Sequence, residues 1–397
     1  MSSSKTGRTN RNVRAAAVCT PGLEPICAAE LTALGVRPKP AGPGLMEFDA
    51  TPRQLYSANV WLRTVSRVVV RLKTFRATDF EHLQEHASTI PWDKWVPAGH
   101  APKFRVSCND SKLYHTKAIA QRLHQVSLPP SIDEPEQLFI VRIDRNNVTI
   151  SADSSGEALH KRPWRTELGD APLRSTMAAA MLLATEWDHT SGLVDPFCGS
   201  GTIGIEAALL AAGMPPGGER EFAFHLWPDF QTGAWASVAG SIAASMDKAK
   251  GPGPIVLSDR SSELAAAATA NTERAAVSHL VQVDTHVVSH LKGRSGPGMV
   301  VTNPPFGKRV GKAELSGLYG RLGAVVRERL PEYGFALLTP DAKLARSADS
   351  NVRSVAKFRH GGLPVQIFAR PAGDQADNLS GRPTDSQAAA TQHGSSG

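Results

Sequence analysis

A strand, a glycine turn and a helix follow one another near the middle of this chain, and this segment constrains the fold more than any other. The apolar run at 193–196 predicts the strand, Gly199 and Gly201 predict the turn, and an Ala-, Leu- and Ile-rich stretch predicts the helix. Strand and helix patterns keep alternating as far as residue 369, with further strands expected near 255–258, 280–283, 299–302, 335–339 and 364–369. Such alternation predicts an α/β fold with a Rossmann-like, doubly wound sheet.

The glycine turn is a candidate ligand site. Glycine lets the backbone bend tightly and approach a ligand closely, and the N-terminus of the helix lies just behind the turn. The GxGxxG pattern would also suit the pyrophosphate of a dinucleotide, as in a nicotinamide oxidoreductase. Two carboxylates favour S-adenosylmethionine: Asp195 could receive the ligand's ammonium group, and Asp259, which ends the next strand, could accept the ribose hydroxyls. Asp259 comes much later than the roughly 20 residues expected in a dinucleotide fold.

Two further residues of the turn belong to the predicted cofactor-binding set. Cys198 and Thr202 flank the glycines on either side. Cys198 has a simpler interpretation as a small filler of a tight turn, because no partner cysteine is near it in the sequence.

A second motif, Asn303-Pro304-Pro305-Phe306, follows the apolar run at 299–301. The exocyclic amine of a nucleobase is a poor nucleophile because its lone pair is delocalised into the ring. The carboxamide oxygen of Asn303 and the carbonyl of Pro304 can each accept an N–H bond of that amine and favour its transition-state geometry. Phe306 can stack on the base, while the prolines fix the backbone. Alone, the motif would equally suit a turn that caps a strand.

In this order, the two motifs resemble those of the amino-methyltransferases, class I enzymes that methylate exocyclic amines with S-adenosylmethionine. The resemblance implies that the glycine turn and its two carboxylates face the cofactor. It also implies that Asn303, Pro304 and Phe306 face the target base, with Asn303 bordering the cofactor as well. The family usually carries an acidic residue just past its third strand, against the adenine. Here Asp284 or His286 can take that place, and we favour Asp284.

The first 155 residues are predicted to form two small α+β units. Strands and helices alternate over 13–75, which suggests a ferredoxin-like unit. The elements expected in 76–155 are a helix at 80–86, a strand at 103–107, a helix from Ser111 and a hairpin at 138–151. Residues 104–120 resemble part of the THUMP domain, an RNA-binding module. The resemblance implies that Lys112, Lys117 and Arg122 bind RNA, although such cations are commonly a solvated helix face.

Residues 156–370 are predicted to form the methyltransferase domain, which begins with a basic segment. The order of the segments at 159–165, 171–174 and 178–182 resembles the junction of THUMP-linked guanine-N2 methyltransferases. The insertion at 212–253 resembles that of bacterial large-subunit rRNA enzymes of RlmL and YpsC type. Lys161 and Arg162 could contact the RNA backbone or belong to an interdomain strap. Lys308 and Arg309 could neutralise phosphates beside the target base or be ordinary loop cations.

The composition of the chain constrains its partners and location less strongly than the motifs constrain its fold. The formal net charge of +7 suits a polyanionic partner such as RNA without identifying one. The four cysteines lack disulfide or metal-ligand spacing, so we expect a reducing, cytoplasmic location and no metal. No apolar run approaches the roughly 18 residues of a membrane span. Residues 1–12 and 371–397 are predicted to be disordered, and the protein is predicted to be a monomer.

These features predict an S-adenosylmethionine-dependent RNA methyltransferase that forms N2-methylguanosine in 23S rRNA. Guanine-N2 methylation of tRNA and adenine-N6 methylation of RNA remain alternatives, since the Asn303 motif does not distinguish the two purines. Methylation of a protein glutamine fits the motif but not the RNA-binding front half. An oxidoreductase would leave the Asn303 motif without a role, and a catalytically idle RNA-binding protein would not need Asp195 and Asn303.

Overall fold

The computed structural model describes residues 12–128, 135–166, 173–218, 220–306 and 312–372, which form two seven-stranded sheets. The two ends predicted to be disordered lie almost entirely outside these described residues.

The N-terminal part of the chain builds the first sheet. Its strands are β1 (Val13–Cys19), β2 (Lys39–Pro40), β3 (Leu45–Ala50), β4 (Val65–Arg76), β5 (Ala101–Asn109), β6 (Glu136–Asp144) and β7 (Asn147–Asp153). Its helices are α1 (Glu24–Ala33), α2 (Pro52–Trp61), α3 (Phe80–Ser88) and α4 (Thr116–Val126). The strands lie in the order β2-β3-β1-β4-β7-β6-β5, and all four helices pack on one face around a common apolar core.

The two predicted front units share this one sheet. The boundary expected after residue 75 falls at the end of β4, and β4 pairs antiparallel with β7 from Val69–Asp153 to Arg76–Asn147. Because the backbone hydrogen bonds run across the boundary, the front half is continuous through its sheet.

The second sheet belongs to the C-terminal part of the chain. Its strands are β8 (Gly192–Asp195), β9 (Ile255–Asp259), β10 (Val281–Thr285), β11 (Gly298–Thr302), β12 (Tyr333–Thr339), β13 (Arg353–His360) and β14 (Leu363–Arg370). Its helices are α5 (Ser175–Leu183), α6 (Thr202–Ala211), α7 (Thr232–Lys248), α8 (Ser262–Arg274), α9 (Lys312–Arg329) and α10 (Ala342–Ala348).

The topology of this sheet is doubly wound, as predicted. The strands lie in the order β10-β9-β8-β11-β12-β14-β13; the first five are parallel, and β14 is antiparallel to β12. Helices α5, α6 and α8 pack on one face, and α9 and α10 pack on the other. The carboxyl ends of β8, β9 and β11 therefore meet at one edge, where ligands bind in folds of this kind.

Strand β13 was not predicted from the sequence. Among the described strands it pairs with β14 alone and forms the edge of the sheet, and most of its residues are exposed. Phe358 is its only buried residue, so the strand carries little of the apolar signal by which strands are recognised.

The prediction of a helix from Ser111 was wrong in its start, because α4 begins at Thr116. Residues 110–115 form a loop, in which Asp110 adopts a φ of 42°. The Ser111 hydroxyl accepts a hydrogen bond from the Asn146 amide (3.0 Å), and the Lys112 amide donates to Asn146 Oδ1 (2.8 Å). These bonds tie the loop to the hairpin turn between β6 and β7 and so compete with helix formation.

The insertion at 212–253 joins the two halves of the molecule. Its helix α7 packs on the core of the first sheet through Val238. The ring of Phe224 stacks on that of Tyr56 with 4.3 Å between centroids, and Trp227 Nε1 donates to Gln137 Oε1 over 2.9 Å. The methyltransferase half therefore completes the core of the front half.

Arg162 is buried between the halves, which corrects its predicted contact with RNA. Its Nε donates to Glu206 Oε1 (2.8 Å), and its other nitrogens donate to the carbonyls of Leu159 (2.6 Å) and Arg63 (2.8 Å). Glu206 also lies 3.6 Å from the Arg63 guanidinium. With only 4% of Arg162 exposed, the residue belongs to an interdomain strap, the alternative that the sequence left open. Removing either member of such a pair leaves the other charge buried without its partner, which destabilises the fold.

Candidate active site

Three residues of the predicted site lie at the ends of neighbouring strands. Asp195 ends β8, Asp259 ends β9 and Asn303 directly follows β11, and β8 lies between β9 and β11. The strands are parallel, so all three residues lie at the same edge of the sheet. The turn that contains Gly199 and Gly201 leaves from this edge.

The glycine turn needs glycine for two different reasons. Gly199 and Gly201 have φ values of 52° and 83°, in the left-handed region that other residues rarely adopt. A Cβ on Gly201 would lie 3.1 Å from Cβ of Ala268, so this glycine lets the turn pack against α8. A Cβ on Gly199 would meet no atom within 4 Å among the described residues, so the backbone there borders open space. A ligand can therefore approach the turn closely at Gly199.

Asp195 is buried with one carboxylate oxygen unpaired. It is 1% exposed; its Oδ1 accepts hydrogen bonds from the Thr302 hydroxyl (2.7 Å) and the Phe197 amide (3.2 Å). Its Oδ2 has no hydrogen-bond partner among the described residues. Desolvation raises the pKa of Asp195 to about 7, and the nearby Asp259 carboxylate adds to the rise. A buried, unpaired carboxylate oxygen suits a cationic group such as the ammonium of S-adenosylmethionine.

Asp259 is held by backbone amides and remains half-buried. Its Oδ2 accepts from the Gly199 amide (3.1 Å), and its Oδ1 accepts from the Ser261 amide (3.0 Å). A carboxylate has about four acceptor positions, so capacity remains for the two hydroxyls of a ribose. The bond to Gly199 also fixes the end of β9 against the glycine turn.

Both candidates for the adenine contact lie beside Asp259. Asp284 pairs with Ser258 in the parallel ladder, and Gln282 Nε2 donates to Asp284 Oδ2 over 2.9 Å. The His286 amide donates to the Asp259 carbonyl over 3.0 Å. The fold brings both residues to the cofactor edge, and Asp284 remains the prediction.

Asn303 begins the loop that would face the target base. The residue is half-buried, and its Oδ1 is a buried atom without a hydrogen-bond partner among the described residues. Pro304 is buried, whereas Phe306 is half-buried and packs beside the apolar core under α5 and α6. The Pro305 carbonyl lies 3.4 Å from the Tyr319 hydroxyl, which donates to it. The roles of Thr302 and Tyr319 in this site were not predicted from the sequence, because no motif around either residue indicates such a role.

The remaining residues of the turn have clear packing roles. Cys198 is 7% exposed; its amide donates to the Ser258 carbonyl (3.0 Å), and its side chain joins the apolar core. Burial raises the pKa of its thiol. These contacts favour the interpretation of Cys198 as a filler. Thr202 is buried at the first position of α6.

Five of the seven predicted RNA-binding cations lie within the described residues. Lys112, Lys117 and Arg122 are exposed on the loop before α4 and on α4 itself, and Arg122 lies over the Phe80 ring at 5.4 Å. Lys161 is exposed and forms a salt bridge of 3.1 Å with Glu157. Lys308 and Arg309 lie outside the described residues.

Within the described ranges, none of the helices combines the length and the apolar character that crossing a bilayer requires.

Comparison with known proteins supports the assignment of the methyltransferase domain and of the ferredoxin-like unit. The sequence profile of the RMKL-like methyltransferase domain (UPF0020) matches residues 162–364, and that of the RlmL ferredoxin-like domain matches residues 14–69. The prediction of a ferredoxin-like unit before a methyltransferase domain is therefore confirmed.

Three similar proteins span most of this chain. Ribosomal RNA large subunit methyltransferase K/L of Vibrio parahaemolyticus is 31% identical over 396 residues, 94% of this chain and 55% of that protein. The protein YpsC of Bacillus subtilis is 30% identical over 362 residues, 87% of this chain and 93% of YpsC. The crystal structure of a possible methylase from Clostridium difficile 630 superposes with a TM-score of 0.82 at 28% identity, covering 91% of this chain and 98% of that one.

The chain spans about half the length of the K/L relatives that it matches. It matches nearly the whole of YpsC. The profile match over just over half of the chain, together with this identity, shows that the protein belongs to the RMKL-like methyltransferase family (UPF0020).

Proposed function

We propose that this protein transfers a methyl group from S-adenosylmethionine to the exocyclic N2 amine of a guanine in RNA, and that the RNA is 23S rRNA. One observation carries the proposal. Asp195 Oδ2 and Asn303 Oδ1 are buried oxygens without partners among the described residues, and they lie at the ends of the neighbouring strands β8 and β11. One oxygen suits an ammonium group and the other suits an amine N–H.

The cofactor side of the site is formed by β8, β9 and the glycine turn. Bound S-adenosylmethionine supplies a methyl group on a positively charged sulfonium. Asp195 would bind the ammonium group of the cofactor, and Asp259 would accept its ribose hydroxyls. Asp284, the penultimate residue of β10, would contact the adenine. The open space at Gly199 leaves the backbone of the turn accessible to the cofactor.

The base side of the site is formed by the loop after β11. The Asn303 carboxamide oxygen and the Pro304 carbonyl would each accept one N–H of the target amine and hold its nitrogen towards the methyl group. Phe306 would stack on the base, which has to leave its own stack to enter the site. Tyr319 supports this loop through the Pro305 carbonyl. No strong base is required at the amine, because the sulfonium is already a good methyl donor.

RNA is favoured as the substrate by charge and by similarity. The formal net charge of +7 suits a phosphate backbone, and residues 76–155 are the part that we predict to be a THUMP unit. The K/L relatives are named for methylation of the large ribosomal RNA. Because this chain spans about half of those relatives, the choice of 23S rRNA belongs to the proposal.

The test is methyl transfer to defined RNA pools. Purified protein is incubated with labelled S-adenosylmethionine and either deproteinised rRNA or tRNA, and the RNA is digested for nucleoside mass spectrometry. We expect label in N2-methylguanosine from 23S rRNA. Label in N6-methyladenosine would overturn the guanine assignment, and label from tRNA alone would overturn the rRNA assignment.

A further inference from the structure

Four exposed arginines lie outside the site described above and form no salt bridge among the described residues. We call them the basic strip: Arg105, Arg142, Arg174 and Arg359. They come from β5, β6, the segment before α5 and β13, so no local sequence pattern connects them.

The first two arginines lie on the face of the first sheet opposite its helices. Arg105 is paired with Ile140, and Ile140 with Ser151 on β7, so these side chains point to one face. Arg142, two residues after Ile140, points to the same face. Phe104 and Phe139, on the other face, pack in the core beneath the helices.

Five acidic residues among those described lie on this face: Glu47, Asp49, Glu136, Asp144 and Asp153. Glu47 pairs with Arg14 and Arg71, and Glu136 pairs with Lys103. Asp153 is fully buried and forms a salt bridge with Arg67, so its charge is already matched. Asp144 accepts a hydrogen bond from Asn109 Nδ2 over 2.7 Å, and the nearby Arg142 and Arg145 help to lower its pKa. Arg105 and Arg142 therefore remain available to an anionic ligand.

The linker between the halves continues from this face. Arg67 NH1 donates to the Gly156 carbonyl over 2.6 Å, and the Leu159 amide donates to the Ser66 carbonyl over 2.8 Å. These bonds place His160 beside the end of β4 that carries Arg67.

Arg174, which directly precedes α5, acts electrostatically on both the linker and the hairpin formed by β13 and β14. The pKa values of His160 and His360 are both lowered, first by burial and then by the positive charge of Arg174. Arg165 donates to the Leu173 carbonyl over 2.5 Å, which fixes the residue before Arg174 to the linker. Nδ1 of each histidine is buried without a partner among the described residues.

The hairpin extends towards the catalytic edge. Thr339, at the carboxyl end of β12, pairs with Gln366 of β14. Strand β14 begins three residues before Gln366, at Leu363, which pairs with His360, so the hairpin continues past the end of β12. At strand spacing, the tip of the hairpin reaches about 10 Å beyond the end of β12, on the side of the sheet where Asn303 begins its loop. Arg359 is fixed at this tip by a hydrogen bond to the Gly362 carbonyl (2.6 Å), and Leu363 is 48% exposed.

We infer that the basic strip binds the phosphodiester backbone of a single RNA strand and leads that strand from the front sheet, across the linker, to the site at Asn303. Exposed arginines without salt bridges among the described residues lie on both halves, which suits a polyanion longer than one nucleotide. A flipped target base also requires the strand on either side of it to be held near the catalytic edge. The inference rests on the proposed function for the identity of its ligand. None of its four arginines belongs to the RNA-binding set predicted from the sequence, which was Lys112, Lys117, Arg122, Lys161, Arg162, Lys308 and Arg309.

The experiment measures RNA affinity and its dependence on salt. A fluorescein-labelled single-stranded RNA oligonucleotide of mixed sequence is titrated with the protein and with the double variant Arg174→Gln/Arg359→Gln. A second double variant, Arg105→Gln/Arg142→Gln, tests the front sheet. The matched control is Lys248→Gln/Lys250→Gln, which removes two exposed cations from the end of α7 and the segment after it. Melting temperature and cofactor affinity check that each variant is folded.

Each strip variant should lose about two phosphate contacts. On a single strand, the slope of log affinity against log salt should fall in magnitude by about 1.4, and RNA affinity at physiological salt should fall roughly tenfold. The control should change neither quantity. Unchanged affinity and slope in both strip variants would overturn the inference.

The experiments distinguish a failure of the basic strip from a failure of the proposed function. If the strip variants weaken RNA binding but wild-type protein forms a nucleoside other than N2-methylguanosine, the strip stands and the guanine assignment fails. If wild-type protein methylates guanine in rRNA while the strip variants bind and turn over RNA normally, the function stands and the strip fails.

Discussion

The hydroxyl of Thr302 donates a 2.7 Å hydrogen bond to Oδ1 of Asp195, so the last residue of β11 holds the last residue of β8. Thr302 immediately precedes Asn303, and Asp195 is the residue that we assign to the cofactor ammonium. The bond therefore connects the base side of the site to its cofactor side. Oδ1 of Asp195 is thereby occupied, whereas its Oδ2 has no hydrogen-bond partner within the part of the chain that the structure describes.

Replacing Thr302 by valine should weaken cofactor binding. The hydroxyl lowers the pKa of Asp195 against the effect of burial, so its loss should raise that pKa further and reduce the ionised fraction at neutral pH. Loss of a hydrogen bond to a charged group predicts an affinity at least about tenfold lower. Calorimetric titration with S-adenosylhomocysteine measures the effect. Thr302→Ser keeps the hydroxyl and should bind almost normally, so a loss of equal size in both variants would contradict the assigned role.

Cofactor affinity should depend on pH through Asp195. The ammonium binds the ionised carboxylate, and the pKa of Asp195 without cofactor is about 7. Affinity should therefore increase as pH rises, by up to tenfold per pH unit below 7, and level off above about pH 8. Cofactor binding at pH 6 should also release a proton from Asp195. Calorimetric titration in buffers of different ionisation enthalpy detects this release. Asp195→Asn should remove this pH dependence along with most of the affinity. A flat profile for the wild-type protein would exclude Asp195 as the titrating group.

The same pKa predicts that Asp195 destabilises the cofactor-free protein. Because the folded-state pKa lies above the ordinary value of 3.8, the fold prefers the protonated form. The destabilising contribution is absent below about pH 4, grows as pH rises to about 7 and is constant above that, reaching at most about 4 kcal/mol. Asp195→Asn should therefore raise the melting temperature by several degrees at pH 8 and barely change it at pH 4. A lower melting temperature at pH 8 would show that another group stabilises the charge.

The main architecture could be predicted from the sequence because the buried strands of a doubly wound sheet are continuous apolar runs. The segments near 193, 255, 299 and 335 indicate β8, β9, β11 and β12 in this way. Their glycine turn and acidic ends then follow from the rule that ligands bind at the carboxyl edge. The pattern of the sequence is therefore sufficient to place Asp195, Asp259 and Asn303 together.

Features that depend on distant partners could not be predicted. Whether Arg162 faces solvent or the interior depends on Glu206, 44 positions later, and on packing between the two halves. The exposed strand β13 carries charge where a buried strand would be apolar, so its pairing is determined by β14. The loop at Ser111 exists because Asn146 offers it hydrogen bonds. In each case the local pattern was compatible with more than one structure.

Arg162 and Lys161 are neighbours in the sequence but should behave differently on mutation. Arg162→Ala leaves Glu206 buried with a weaker set of partners and should cost about 3–5 kcal/mol of stability. Lys161→Ala removes an exposed salt bridge to Glu157 and should cost less than about 1 kcal/mol. Denaturant unfolding measures both values. If Arg162→Ala were as stable as the wild-type protein but bound RNA more weakly, the sequence-based prediction of an RNA contact would be right.

Asn303→Ala should abolish methyl transfer while leaving cofactor binding largely intact. The carboxamide is assigned to the target amine, and the ammonium and ribose of the cofactor are assigned to Asp195 and Asp259 on other strands. Loss of an oriented acceptor in the transition state predicts a fall in kcat of at least about a hundredfold. Single-turnover methylation of rRNA measures the step, and titration with S-adenosylhomocysteine measures binding. Asn303→Asp is the matched control, because it keeps an oxygen acceptor at the same position and should retain more activity than alanine. A collapse of cofactor affinity in Asn303→Ala, with normal turnover of whatever cofactor remains bound, would move Asn303 from the base side of the site to its cofactor side.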